Sequence, residues 1–282
     1  MAFFARLISV LTFGLALGLT PPGAHAQGGN TPASGKLRIG LTGDYRPFSH
    51  LDPQTGVWSG MDVDMGRLLG AALGKEVEFV HTDWPGLSAD LAAGRFDIAM
   101  GGISVTKERA EIGLFSSPIL SDGKTPVARC ENQFRFQTLP QIDQPGIRVI
   151  VNPGGTNERF ARAHLRQAQL RLYPDNNRIF EEIIAGRADV MITDATEARL
   201  QARLHPELCA IHPDAPFDRS DKAYLMRKDE RLLARVESWL SEMREKGALE
   251  AMTGAWINGK RINGRLAFPH GETSISGKPA GE

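Results

Sequence analysis

The chain has 282 residues, with 33 lysines and arginines against 33 aspartates and glutamates, and two cysteines. That length provides two modest lobes with cores of their own and excludes a large multidomain assembly. The balanced charge gives no argument for nucleic acid or an anionic membrane as a partner.

Residues 1–26, "MAFFARLISVLTFGLALGLTPPGAHA", hold one Arg, an apolar stretch too short to span a bilayer, and a small-x-small end. This pattern predicts a secretory signal peptide cleaved after Ala26. Removal of Arg6 leaves 32 basic against 33 acidic residues. Nothing later is long and apolar enough to cross a membrane, so an exported product without membrane insertion is expected. Residues 27–35 form a Gly/Ser/Pro-rich leader without apolar period, and residues 263–282 read as a disordered tail.

Between them strand and helix patterns alternate. "KLRIGLTG" predicts a strand, "GMDVDMGRLLGAALG" an amphipathic helix, "EVEFVHT" and "FDIAMGGIS" strands on either side of the helix "GLSADLAAGR". "GIRVIVNPGG", "QLRLYP" and "ADVMITD" are strands of a second unit, alternating with the helices "TNERFARAHLRQ", "NRIFEEIIAGR" and "ATEARLQARL". Such alternation implies α/β lobes with parallel sheets and helices on both faces. The extended segments "KTPVARC" and "DKAYLMRK" at the ends of the second unit predict a two-strand hinge, with the last two helices returning to the first lobe. The expected division is residues 36–126 plus 222–262 for lobe 1 and 127–221 for lobe 2, with a ligand cleft between them. Cys130 and Cys209 both fall in lobe 2 without metal-type spacing. In an oxidising compartment they read as one disulfide, the alternative being two buried thiols.

Three clusters carry chemistry. Gly101-Gly102, Ser104, Thr106 and Arg109 can hold a carboxylate through amides, hydroxyls and a guanidinium, although Arg109 alone reads equally well as a surface helix charge. Gly154-Gly155 brings backbone close to a ligand, and Thr156 opens a helix whose free amides favour an anion, or is a plain helix start. Asp194 and Glu197, one turn apart at the mouth of "ATEARLQARL", fit a capping box as well as a functional pair of carboxylates. The histidines are scattered, and no HExxH, GxSxG, Walker or dinucleotide motif occurs, so no metal site is expected.

"GVWSGMDVDMGRLLG", "GRFDIAMGGISVTKERAEIGLFSSPIL" and "NPGGTNE" resemble the family-3 extracellular solute-binding proteins of bacterial ABC transporters over roughly residues 36–260. The resemblance implies a periplasmic-binding-protein-like (type II) fold, two lobes closing by a hinge around a cleft. It also implies an amino-acid carboxylate held by Arg109, Ser104, Gly102 and Gly155-Thr156, and an ammonium held by Asp194. "GDYRPFS", "DGKTPV", "RFQTLPQIDQPG", "VNPGGTNERFARA" and "TDATEARLQARLHPELCAIHP" look more narrowly like the periplasmic cyclohexadienyl dehydratase family built on that fold. This narrower resemblance implies conversion of prephenate to phenylpyruvate, and of arogenate to phenylalanine, without a cofactor. Glu197 stands at the position of the family's general acid. Lys124 replaces the neutral residue usual in transporter proteins and suits a substrate with two carboxylates. Tyr45, Trp84 and, with them, Asp44 are expected around the ring. The resemblance also allows self-association, which no surface stripe in the sequence demonstrates. The alternative function is an amino-acid-binding protein of a transporter.

Overall fold

The computed structural model describes residues 35–262 and 265–267. The signal segment, its cleavage site, the leader up to residue 34 and the rest of the tail lie outside the described residues.

The first lobe begins with β1 (Lys36–Leu41), β2 (Asp44–Tyr45), β3 (Ser49–Leu51) and β4 (Trp58–Ser59), followed by α1 (Met61–Leu73) and β5 (Glu76–His81). It continues through α2 (Leu87–Ala92), β6 (Ile98–Ala99), α3 (Lys107–Ile112), β7 (Leu114–Phe115) and β8 (Leu120–Asp122). β1 alternates so that Leu37, Ile39 and Leu41 are buried, and α1 turns Met61, Met65, Leu69 and Leu73, spaced by four, onto the same core.

The second lobe holds β9 (Lys124–Arg129), a 3-10 turn at Cys130–Arg135, α4 (Leu139–Ile142), β10 (Arg148–Val151) and α5 (Thr156–His164). Then come β11 (Gln169–Leu172), α6 (Ile179–Ile184), β12 (Val190–Asp194), α7 (Ala195–Leu204) and β13 (Leu208–Ala210). β12 is buried along its whole length, as a strand covered on both faces must be. The chain returns through β14 (Ser220–Lys222) and β15 (Leu225–Met226) to α8 (Glu230–Glu245), α9 (Ala248–Asn258), β16 (Lys260–Ile262) and β17 (Arg265–Ala267). The last two strands pair with each other, β16 at the end of the expected first lobe and β17 within the stretch that reads from the sequence as tail.

The two five-stranded sheets share one plan, β5-β1-β6-β15-β7 and β11-β10-β12-β9-β13. In each, three neighbouring strands run parallel and the fourth is antiparallel to both its neighbours. The sheets are therefore mixed rather than wholly parallel. The reason is connectivity: the fourth strand of each sheet, β15 or β9, is the first to be laid down after the chain crosses from the other lobe. Between the sheets β8 pairs antiparallel with β14, so the hinge ladder lies at "LSD" and "SDK", just ahead of "KTPVAR". A disulfide joins Cys130 to Cys209 within the second lobe, tying the end of β9 to β13 beside it.

Among the described residues no helix is long and apolar enough to cross a membrane.

Candidate active site

The C-terminal ends of the parallel strands of both lobes converge on one small cavity of about 10 Å³, room for about one water molecule. Tyr45, Trp84, Gly102 and Ser104 line it from the first lobe, and Gly155, Thr156 and Asp194 from the second. Four residues with no site role in the sequence reading join them: Asn152, Asn157, Asn176 and Lys222.

Asp194 is the centre of the site. It ends β12 and occupies the N-cap position of α7, yet its side chain makes no capping hydrogen bond. Instead Oδ1 accepts from Lys124 Nζ at 2.8 Å, and Oδ2 accepts from Lys222 Nζ at 2.7 Å and from the Tyr45 hydroxyl. All four groups are buried. Lys124 arrives there because β9 runs antiparallel to β12 with Lys124 directly opposite Asp194. Lys124 is thus no solvated hinge lysine, and its ammonium is also bonded to Thr156 Oγ1 at 2.9 Å and to Asn157 Oδ1. Burial alone would raise the Asp194 pKa, but the two ammoniums outweigh it and hold the carboxyl well below the usual range. Burial lowers the Lys124 pKa, with Asp194 opposing.

The vacated cap of α7 is filled from the hinge. Ala195 N donates to Gly123 O at 2.8 Å and Thr196 N to Asp122 Oδ1 at 3.2 Å. The capping-box alternative for Asp194 and Glu197 therefore does not describe this helix start. Glu197, 1% exposed, places Oε2 against the Thr193 hydroxyl and accepts on Oε1 from Asn176 Nδ2 at 3.3 Å. Burial raises its pKa to about 8, the Thr193 bond opposing and the Asp194 and Asp44 carboxyls adding to the rise. Thr193 is held in turn by Asn157 Nδ2 at 3.1 Å.

On the first lobe, Lys222 Nζ donates to Ser104 Oγ at 2.8 Å, and Arg109 donates to Ser104 O at 2.9 Å. The guanidinium lies 6.0 Å from the Trp84 ring centroid and is buried, not a surface charge. Burial and the neighbouring Arg159 lower its pKa to about 10, which leaves it charged at neutral pH. Trp84 meets Tyr45 edge-on at 5.5 Å, and its indole donates to Asp44 Oδ1 at 3.0 Å. Asp44 is raised to about 6 by burial, the Trp84 bond opposing.

One expectation is corrected. The Gly101 and Gly102 amides, offered by the sequence to a ligand carboxylate, both donate at 2.8 Å to Asp62 Oδ2 from the start of α1. Gly102 lines the cavity for a steric reason: at φ 72° a Cβ there would lie 2.6 Å from both the Tyr45 and Phe48 rings. Gly154 is similar. Its backbone has φ 77°, and a Cβ would lie 2.6 Å from Pro85 of the opposite lobe.

Lys222 and Asn176 escape sequence reasoning because their partners lie 28 and 21 residues away on other elements. Asn157, beside Thr156 at the same helix start, had a local signal. Among the described residues no group of His, Cys, Asp or Glu gathers that could hold a metal ion.

A two-lobe α/β fold with a charged cleft at its strand ends defines a binding-protein scaffold, and the chain belongs to the bacterial extracellular solute-binding proteins, family 3, whose model matches residues 37–259. Within that family it is 52% identical over 224 residues to the cyclohexadienyl dehydratase of Pseudomonas aeruginosa, covering 79% of this chain and 83% of that protein. It is 26% identical over 254 residues to the L-cystine-binding protein of Escherichia coli K12, covering 89% and 94%. It also matches the crystal structure of an ancestral amino-acid-binding protein, a precursor of cyclohexadienyl dehydratase, with TM-score 0.73 and 33% identity over 79% of this chain and 96% of that one.

Proposed function

We propose that this protein is a cyclohexadienyl dehydratase, a carbon–oxygen lyase that acts after export to the periplasm and turns prephenate into phenylpyruvate and arogenate into phenylalanine. The observation that carries the reading is Glu197: a fully buried carboxyl, held protonated at neutral pH and bonded to Asn176, which lines the cavity.

Prephenate carries a side-chain carboxylate, a ring carboxylate and a ring hydroxyl. The reaction expels carbon dioxide and water and leaves an aromatic ring, which supplies driving force. The protein has to orient the ring and protonate a poor leaving group. Arg109, Ser104 and Thr156 anchor the side-chain carboxylate, joined by Lys222 through its bond to Ser104. A cation held tightly on the ring carboxylate would stabilise the ground state, because that group loses its charge as carbon dioxide. Lys124 and Asp194 instead set the local field. Tyr45 and Trp84 flank the ring, and Asp44 orients the indole. Substrate entry exchanges the bonds from Tyr45 and Lys222 to Asp194 for bonds to substrate as the lobes part and reclose.

Amino-acid transport is the competing reading, and Glu197 weighs against it: holding an ammonium gives no use for a second buried carboxyl that keeps its proton, whereas protonating a leaving group does. Asp194, once Lys222 turns to substrate, is left to accept the ammonium of arogenate. The direct test is to follow phenylpyruvate release from prephenate by the mature protein and by Glu197→Gln. Wild-type turnover that falls by about 10²- to 10⁴-fold in the folded variant supports the reading. A folded wild type that binds a standard amino acid tightly and turns over neither substrate overturns it.

A further inference from the structure

Asn176 lies in the turn between β11 and α6 and is 2% exposed. Its Nδ2 donates across the cleft to the Asp44 carbonyl oxygen at 2.9 Å, and to Glu197 Oε1 at 3.3 Å. Its Oδ1 is buried without a hydrogen-bond partner among the described residues, although the side chain lines the cavity. The orientation of this amide is fixed by chemistry: a backbone carbonyl only accepts, so the end facing Asp44 must be the NH₂. The acceptor end is therefore left over, beside the carboxyl read as the acid. A buried amide oxygen without a partner is costly, and such groups mark places where a ligand completes the bonding.

We propose that Asn176 receives the departing hydroxyl group, its Oδ1 accepting the hydrogen that this hydroxyl already carries while Glu197 supplies the second. The inference rests on Glu197 being the general acid. Glu197 gives its proton to the hydroxyl oxygen, and the carbon–oxygen bond breaks with its electron pair on that oxygen, which leaves as water. The electron pair of the ring carboxylate's carbon–carbon bond enters the ring, and carbon dioxide departs. Asn176 exchanges no proton. One oxygen can bond at once to two atoms up to about 5.5 Å apart, a span that the Oε1 of Glu197 and the far end of an amide bonded to it satisfy. The bond to the Asp44 carbonyl, made between lobes, presents the acceptor only when the cleft is closed.

The test compares kcat and KM on prephenate and on arogenate for the wild type, Asn176→Leu, Asn176→Asp and Glu197→Gln, with thermal melts to confirm folding. Asn176→Leu should lose about 10- to 100-fold in kcat, the worth of one such hydrogen bond. KM should change by less than about threefold, and the loss should be equal on both substrates because both carry the hydroxyl. Asn176→Asp keeps the acceptor but gives up the donor to the Asp44 carbonyl, so it should retain only part of the wild-type kcat, though more than Asn176→Leu, even if the Leu variant melts early. Its second carboxyl beside Glu197 should also move the alkaline limb of the kcat–pH profile upward. Wild-type kcat in Asn176→Leu, a loss confined to KM, or a loss only on arogenate would overturn the inference. If Glu197→Gln keeps full turnover, the reading of Glu197 fails by itself. If it collapses while both Asn176 variants behave as wild type, only the role of Asn176 falls.

Discussion

At the scale of single residues, the site works by separating two carboxyls that stand three positions apart. Asp194 is held ionised by two ammoniums, while Glu197, equally buried but bonded to a hydroxyl and an amide, keeps its proton up to about 8. A general acid must be protonated to act, so kcat should be level across neutral pH and fall as the pH rises through about 8. A profile with no alkaline loss before pH 10 would contradict this. The same shift sets a stability sign. Glu197 binds its proton more tightly folded than unfolded, so its contribution is fully present below about pH 4.5 and lost as the pH rises through about 8. At pH 7 the penalty is about 3 kcal/mol. Glu197→Gln, neutral and of the same shape, should therefore melt about 5 to 10 °C higher at pH 7, with a smaller gain at pH 5. A gain independent of pH would show that the carboxyl is ionised in the folded protein.

At the scale of elements, α7 is the critical helix, because it carries Glu197 and begins on the hinge. Asp122 of β8 caps it in place of Asp194, with Oδ1 shared between Gly123 N and Thr196 N. Asp122→Ala should cost about 1 kcal/mol of stability, the usual worth of a cap. It should lower kcat more than it raises KM, since the acid loses its mooring while the carboxylate anchors stay. Asp122→Asn, which keeps the acceptor, should restore most of both. Thermal melts and steady-state kinetics on the three proteins check this. The sequence shows where α7 starts, from the change of apolar run to helical period at Thr193-Asp194. It does not show what caps that start, because the capping residue lies 74 positions away in another element. The real capping box, Thr138 with Gln141 at α4, is one with no role in the site.

At the scale of the molecule, two sheets of one plan meet at a two-strand ladder, and the disulfide lies wholly inside the second lobe. Closing a loop over a sequence separation of 79 is worth about 4 kcal/mol. Replacing both cysteines by serine should lower Tm by about 10 °C. It should leave kcat at temperatures below the transition nearly unchanged, because no bond of the cleft depends on the bridge. Loss of kcat in the folded double variant would contradict that separation. The alternation of strand and helix made the lobes legible in the sequence. The crossing of β9 and β15 into the opposite sheets was not, since period-two segments carry no sign of direction. Likewise, Lys124, Asp194, Arg109 and Ser104 follow from resemblance and local motif. Lys222, Asn176 and the occupation of the Gly101-Gly102 amides by Asp62 depend on distant pairings that only the folded chain brings together.

Glu197 enters the reaction as an acid carrying its proton, and infrared difference spectroscopy of wild type against Glu197→Gln reads that proton directly. At pH 7 the wild type should show a protonated-carboxyl carbonyl band that is absent from the variant and fades as the pH passes about 8. A difference spectrum showing only carboxylate bands at pH 7 would mean that Glu197 is ionised in the folded protein and cannot be the acid of this site.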